Sequence, residues 1–170
     1  MNSVKFELSS DYGCLALLDI SNYSGFVSEN WELDQLKAHI CNENAKGHIV
    51  AWGCTACNWN IEVHFSEPTI EGNRAYRSFI ETEGELLLTT YDSITMAAQF
   101  SETVLPEPHE KDQVVKIGKG IYEVTVVQNF PTELINTEEL WELTGSHYIV
   151  FINKALENKN TKGELPWFAA

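Results

Sequence analysis

A chain of 170 residues, 44% hydrophobic and 11% aromatic, is long and apolar enough to bury a core, which excludes a disordered segment and points to one domain. Its 25 acidic residues against 11 basic ones give a net charge of -14, which excludes nucleic acid as a partner and favours a basic protein. The longest apolar run, residues 14–18, is far too short to cross a bilayer, and residues 1–8 read as a strand rather than a leader, so a cytoplasmic protein without membrane insertion is expected.

Val4, Phe6 and Leu8 alternate with Lys5 and Glu7, the period of a strand with one buried face. Residues 9–13 form a turn, and residues 14–20, apolar except for Asp19, form a fully buried strand. Residues 28–45 change period. Leu33, Leu36 and Ile40 follow helical spacing, Ser28 or Asn30 can cap the start, and Gly47 marks the stop. The helix should lie on a sheet face or edge, with Trp31 pinning its start. Residues 47–65 then read as a hairpin at the centre of the fold. Its second strand turns Trp59, Ile61, Val63 and Phe65 inward and Asn58, Asn60, Glu62 and His64 outward.

Residues 66–73 are loop, 76–80 a short strand, and 81–85 an acidic turn. Residues 86–91 are a buried strand and 94–100 a further strand, followed by an extended loop with Pro106 and Pro108. Residues 114–117 and 121–127 read as a second hairpin across Gly118-Lys119-Gly120, with Tyr122, Val124 and Val126 on one face. Thr137 caps one helical turn, and residues 148–152 are the last strand. The expected fold is mainly β within the α+β class: an antiparallel β-sandwich of about eight strands with one helix packed on it. Residues 1–153 form the single domain. Residues 154–170 form a loose polar C-terminal tail, with residues 165–168 docking back.

The four cysteines are Cys14, Cys41, Cys54 and Cys57, and no disulfide framework is expected of a chain without a leader. Cys54-Thr55-Ala56-Cys57 has the spacing of half a zinc site, with Zn–S bonds of about 2.3 Å. His48 and His64 could complete it, but they stand several residues away on different strands. A redox role needs a helix after the motif, and here a strand follows. No metal or cofactor is therefore expected. The alternative reading is a metal- or small-ligand-binding sandwich that uses Cys54 and Cys57.

His39, His48, His64, His109 and His147 are scattered, and neither a nucleophile elbow nor a glycine-rich phosphate loop is present. No catalytic residue is nominated, and the chain reads as a binding module rather than an enzyme. Trp31, Trp52 and Trp59 read as core residues around the central hairpin. Between positions 62 and 112 there are 11 carboxylates against three basic residues, Arg74, Arg77 and Lys111. Glu81, Glu83 and Glu85 are the candidate surface for a basic partner.

Trp31-Glu32-Leu33-Asp34-Gln35-Leu36, then Gly47-His48-Ile49-Val50-Ala51-Trp52, then a short turn and the strand from Trp59 to Phe65, resembles the middle of the competence protein J family. Val114-Val115-Lys116-Ile117-Gly118-Lys119-Gly120-Ile121-Tyr122-Glu123-Val124-Thr125 is similar to that family's later strand, lysine-glycine turn and strand, and Tyr148-Ile149-Val150 to its closing strand. The resemblance runs with gaps from Trp31 to Ile152. It implies a small, acidic, non-enzymatic bacterial β protein that inhibits a DNA-entry nuclease by direct binding, and the chain is expected to neutralise a basic partner, a nuclease or a toxin. The sequence departs from the family pattern at Cys54 and Cys57 and in its longer tail. The resemblance assigns no inhibitory residue.

Overall fold

Strands with one apolar face need a second layer to cover it, and this chain supplies two such layers. The computed structural model describes residues 3–160 and 162–168; the remaining positions of the first and last expected segments lie outside the described residues. The five-stranded sheet comprises β1 (Ser3–Ser10), β4 (Cys57–His64), β9 (Tyr148–Ala155), β8 (Gly120–Gln128) and β5 (Arg74–Thr82), in that order. The four-stranded sheet comprises β3 (Ile49–Cys54), β2 (Gly13–Asp19), β6 (Glu85–Thr90) and β7 (Val114–Lys116). All pairings are antiparallel except β4 with β9, which run parallel. Helices α1 (Leu33–Ala45) and α2 (Tyr91–Gln99) cover the outer face of the smaller sheet, and a short α3 (Glu138–Glu142) precedes β9. The mainly β, α+β sandwich is the observed class. Among the described residues no helix is long and apolar enough to cross a membrane.

The two faces of β2 explain its unbroken apolar run. Leu15 and Leu17 enter the core between the sheets, while Cys14, Ala16 and Leu18 enter the core under the helices. β3 divides in the same way, with Val50 and Trp52 between the sheets and Ile49 and Ala51 beneath α1. β4 keeps one buried face, formed by Trp59, Ile61 and Val63, and its even-numbered residues point to solvent as period two requires.

Both expected hairpins are corrected. β3 and β4 belong to different sheets, because β3 pairs with β2 and β4 pairs with β1. β7 and β8 likewise separate, to β6 and to β5 with β9. Each short connection is a corner at which the chain changes sheets. The corners stack in twos: residues 11–12 beside 55–56, and residues 83–84 beside 117–119. Alternation buries one face either way, so it does not distinguish a hairpin from a corner between sheets.

The expected strand at 94–100 is instead α2, and a second helix joins α1 on the sheet. Its buried Ser93, Ile94, Ala97 and Ala98 recur at helical spacing. The start of α1 also differs from expectation: the Glu32 N–H donates to Gln35 Oε1 at 2.8 Å, whereas the Ser28 hydroxyl accepts from Asn30 upstream. Trp31 packs in the helix-side core, away from Trp52 and Trp59, which lie between the sheets.

The segment after β9 is tied down rather than loose. Asn160 Nδ2 donates to the carbonyls of Asn44 and Phe79 at 2.8 and 3.1 Å, and its Oδ1 accepts from the Phe79 N–H at 3.2 Å. Farther on, Gly53 N–H donates to Pro166 O at 2.7 Å, and the Arg74 guanidinium lies 4.3 Å from the Trp167 ring centroid. The segment forms a strap across β5 and β3, the edge strands on one side of both sheets, and occupies backbone groups that would otherwise be open.

Candidate functional site

The acidic turn sits on the second stacked corner. Glu81 is the penultimate residue of β5, Glu83 and Gly84 make the connection, and Glu85 begins β6; all three glutamates are exposed. Their backbone is fixed from below by Asp19, which is fully buried at the end of β2. Asp19 Oδ1 accepts from the Thr82 hydroxyl at 2.5 Å and from the Glu83 N–H at 3.1 Å, and Oδ2 accepts from the Asn22 N–H at 2.8 Å. Gly84 N–H donates to Thr82 Oγ1 at 3.0 Å, and Glu81 N–H to Gly47 O at 2.7 Å. A buried carboxylate that accepts three hydrogen bonds holds its partners more firmly than neutral acceptors would. The sequence places Asp19 within an apolar strand. Only its single charge in that run signals its role.

One cation answers this corner. Lys119 Nζ lies 2.9 Å from Glu83 Oε2, both side chains being exposed. The Glu83 hydrogen bond and charge, with a smaller contribution from Glu81, raise the Lys119 ammonium above its ordinary range. An exposed pair of this kind is worth little to stability, so it leaves the corner free to exchange partners.

Cys54 and Cys57 flank the first stacked corner, and both are buried and unbridged. Cys54 Sγ lies 3.6 Å from Ser10 Oγ, and Cys57 Sγ donates to Asn58 O at 3.5 Å. Burial pushes the Cys54 thiol up to about 12, against the thiolate that a metal or a redox step requires. His48 Nδ1 is engaged by Glu43 at 3.1 Å and His64 Nε2 by Glu62 at 2.8 Å. Among the described residues no third ligand joins the two cysteines.

The sequence reading did not single out Glu107, His109 and Glu110, whose ligand atoms gather within 4.8 Å of one another. Glu110 is buried, and its oxygens are committed. Oε1 accepts from the Glu107 N–H at 3.1 Å, and Oε2 accepts from the Thr89 hydroxyl. The cluster therefore caps the 3-10 turn Pro108–Gln113 and docks it on β6.

His147 is also structural. Its Nδ1 accepts from the Asn60 N–H at 3.0 Å, so Nε2 carries the proton and donates to Leu140 O at 3.2 Å. The neutral ring joins β4 to α3.

No protein-family model matches this chain, and no curated protein matches it. Two solved structures are similar in fold. One, described as crocagin biosynthetic gene J, is 13% identical, with a TM-score of 0.61 over 91% of this chain and 97% of that one. The other is ComJ, inhibitor of the DNA degrading activity of NucA, from Bacillus subtilis. It is 14% identical, with a TM-score of 0.47 over 89% of this chain and 96% of that one. The first establishes a shared fold over nearly the whole chain. The second bears the name of the family that the sequence resembles.

Proposed function

We propose that this protein is a non-enzymatic, cytoplasmic binding module that neutralises a basic protein, with a nuclease as the leading class of partner and a toxin as the next. The observation that carries the proposal is the acidic corner: three exposed glutamates on a backbone immobilised by a buried aspartate, in a chain of net charge -14. A nuclease presents cations to bind phosphate. Carboxylates on a rigid turn can occupy those cations without first paying to order a loop. The nuclease class comes from the sequence resemblance to the competence protein J family. Glu81, Glu83 and Glu85 are assigned to the contact surface, and Lys119 releases Glu83 when a partner cation displaces it.

The test is capture from the native host, followed by assay of the captured protein on DNA and by binding kinetics at low and high salt. The expected partner is a basic nuclease whose DNA degradation the parent suppresses. Screening acts over about 10 Å at 0.1 M salt, so association should slow as salt rises while dissociation changes less. The triple variant Glu81→Gln, Glu83→Gln, Glu85→Gln should associate more slowly and inhibit less, with the thermal midpoint nearly unchanged because all three side chains are exposed. An acidic partner, or a triple variant that associates as fast as the parent at low salt, rejects the assignment.

A further inference from the structure

The two sheets part on the side where β7 ends the smaller one. β7 has three residues, whereas β8 and β9 in the facing sheet have nine and eight. Inward side chains of the longer strands therefore lack counterparts, and a cleft of about 830 Å³ opens between the sheets. Its wall is apolar, built by Phe6, Phe65, Val115, Ile117, Tyr122 and Ile152. The volume lies within the ~300–1,000 Å³ typical of small-molecule sites.

The border of this cleft reverses the sign of the rest of the molecule. Lys111, Lys116 and Lys154, three of the chain's 11 basic residues, line it. Among the described residues, none of the three has a carboxylate oxygen within 4.0 Å, whereas Lys46 and Lys119 each do. Lys116, in register with Glu85, stands with Val114 on the face of β7 that turns away from the space between the sheets, so it lines the cleft through the edge of the strand rather than through its ammonium. Lys154 Nζ is held 4.9 Å from the Tyr122 ring centroid and donates to Lys119 O at 3.3 Å, so it is positioned at the mouth by an aromatic face and a carbonyl.

We propose that this cleft binds a hydrophobic monocarboxylate of the fatty-acid class, with its chain between the sheets and its carboxylate at Lys154. The apolar wall gives no hold to inorganic phosphate or a nucleotide, and a neutral hydrocarbon would leave Lys154 unused. An aliphatic acid uses both parts, because its chain leaves water and its charge meets the Lys154 ammonium, which no carboxylate pairs. The site does not depend on the nuclease reading, since the acidic turn lies outside the cleft.

The experiment titrates the full chain with dodecanoate and, separately, with dodecyltrimethylammonium, which has the same chain length and the opposite charge. Saturable 1:1 binding of dodecanoate below its micelle concentration is expected, at least about tenfold tighter than the cation. The variant Lys154→Glu should bind dodecanoate at least about tenfold more weakly with an unchanged thermal midpoint, because the side chain is exposed. No saturation by dodecanoate, equal binding of the two amphiphiles, or parental affinity in Lys154→Glu would overturn the proposal. So would a dimer in sedimentation that Phe6→Glu dissociates, which would make a second copy the occupant.

Discussion

Trp59 stands where three other rings meet. Its centroid lies 5.8 Å from Phe130, 5.3 Å from His147 and 5.1 Å from Tyr148, and only 1% of its surface is exposed. Replacing it with Ala removes the ring from a core that cannot fully collapse, so Trp59→Ala should lower stability by about 3–5 kcal/mol in urea denaturation. His147 beside it gives a pH signature. Burial lowers the imidazole below its ordinary 6.5, with the Leu140 carbonyl opposing in part. On acidification the unfolded chain protonates at the ordinary value and the folded chain only at a lower one. Stability is therefore full above 6.5 and declines as pH falls from there through the folded value. Each unit of that difference is worth about 1.4 kcal/mol. Glu43 and Glu62 act in a lower window. Burial raises both carboxyls, but hydrogen bonds outweigh it and hold them below 4.5, so their contribution is lost only in stronger acid. His147→Gln should flatten the dependence of the denaturation midpoint between about pH 7 and 5, and an unaltered slope would reject this account.

At the scale of elements, the strap after β9 depends on close backbone approach. A Cβ on Gly163 would fall 1.6 Å from Cys41 O, against the backbone of α1, where nothing can give way. Gly163→Ala should cost about 1–3 kcal/mol and speed proteolysis around Trp167, with the sheets themselves intact. This element also marks how far the sequence could be read. β1, β2 and β4 were visible in their burial period, and α1 in the spacing of Leu33, Leu36 and Ile40. α2 was not, because Ile94, Met96, Ala97 and Ala98 are apolar enough to pass for a buried strand until Ser93 is seen to face inward. The docking of residues 165–168 was legible in their apolar run, but the ties of Asn160 were not, because an amide within a polar stretch reads as loop. The acidic corner was legible as a run of glutamates, but its support by Asp19 was not, since that contact joins residues 63 positions apart.

At the scale of the whole molecule, charge and shape divide the surface into two chemistries. Lys119 belongs to both, pairing Glu83 through its ammonium and holding Lys154 through its carbonyl. The sequence displayed the net charge, but the cleft arises only from the mismatch in length between β7 and β8, which no composition records. The stacked corners have a consequence for how the molecule opens. Since short connections carry the chain from one sheet to the other and back, separating either sheet from the core drags on strands of its neighbour. The two sheets are thus a single cooperative unit, and neither has a private route to solvent. Native-state hydrogen exchange should report one shared opening free energy for the amides of Leu17 in the smaller sheet and Val150 in the larger, both wholly buried. Their exchange should respond in parallel to added denaturant, while the amides of the strap exchange through smaller, local openings.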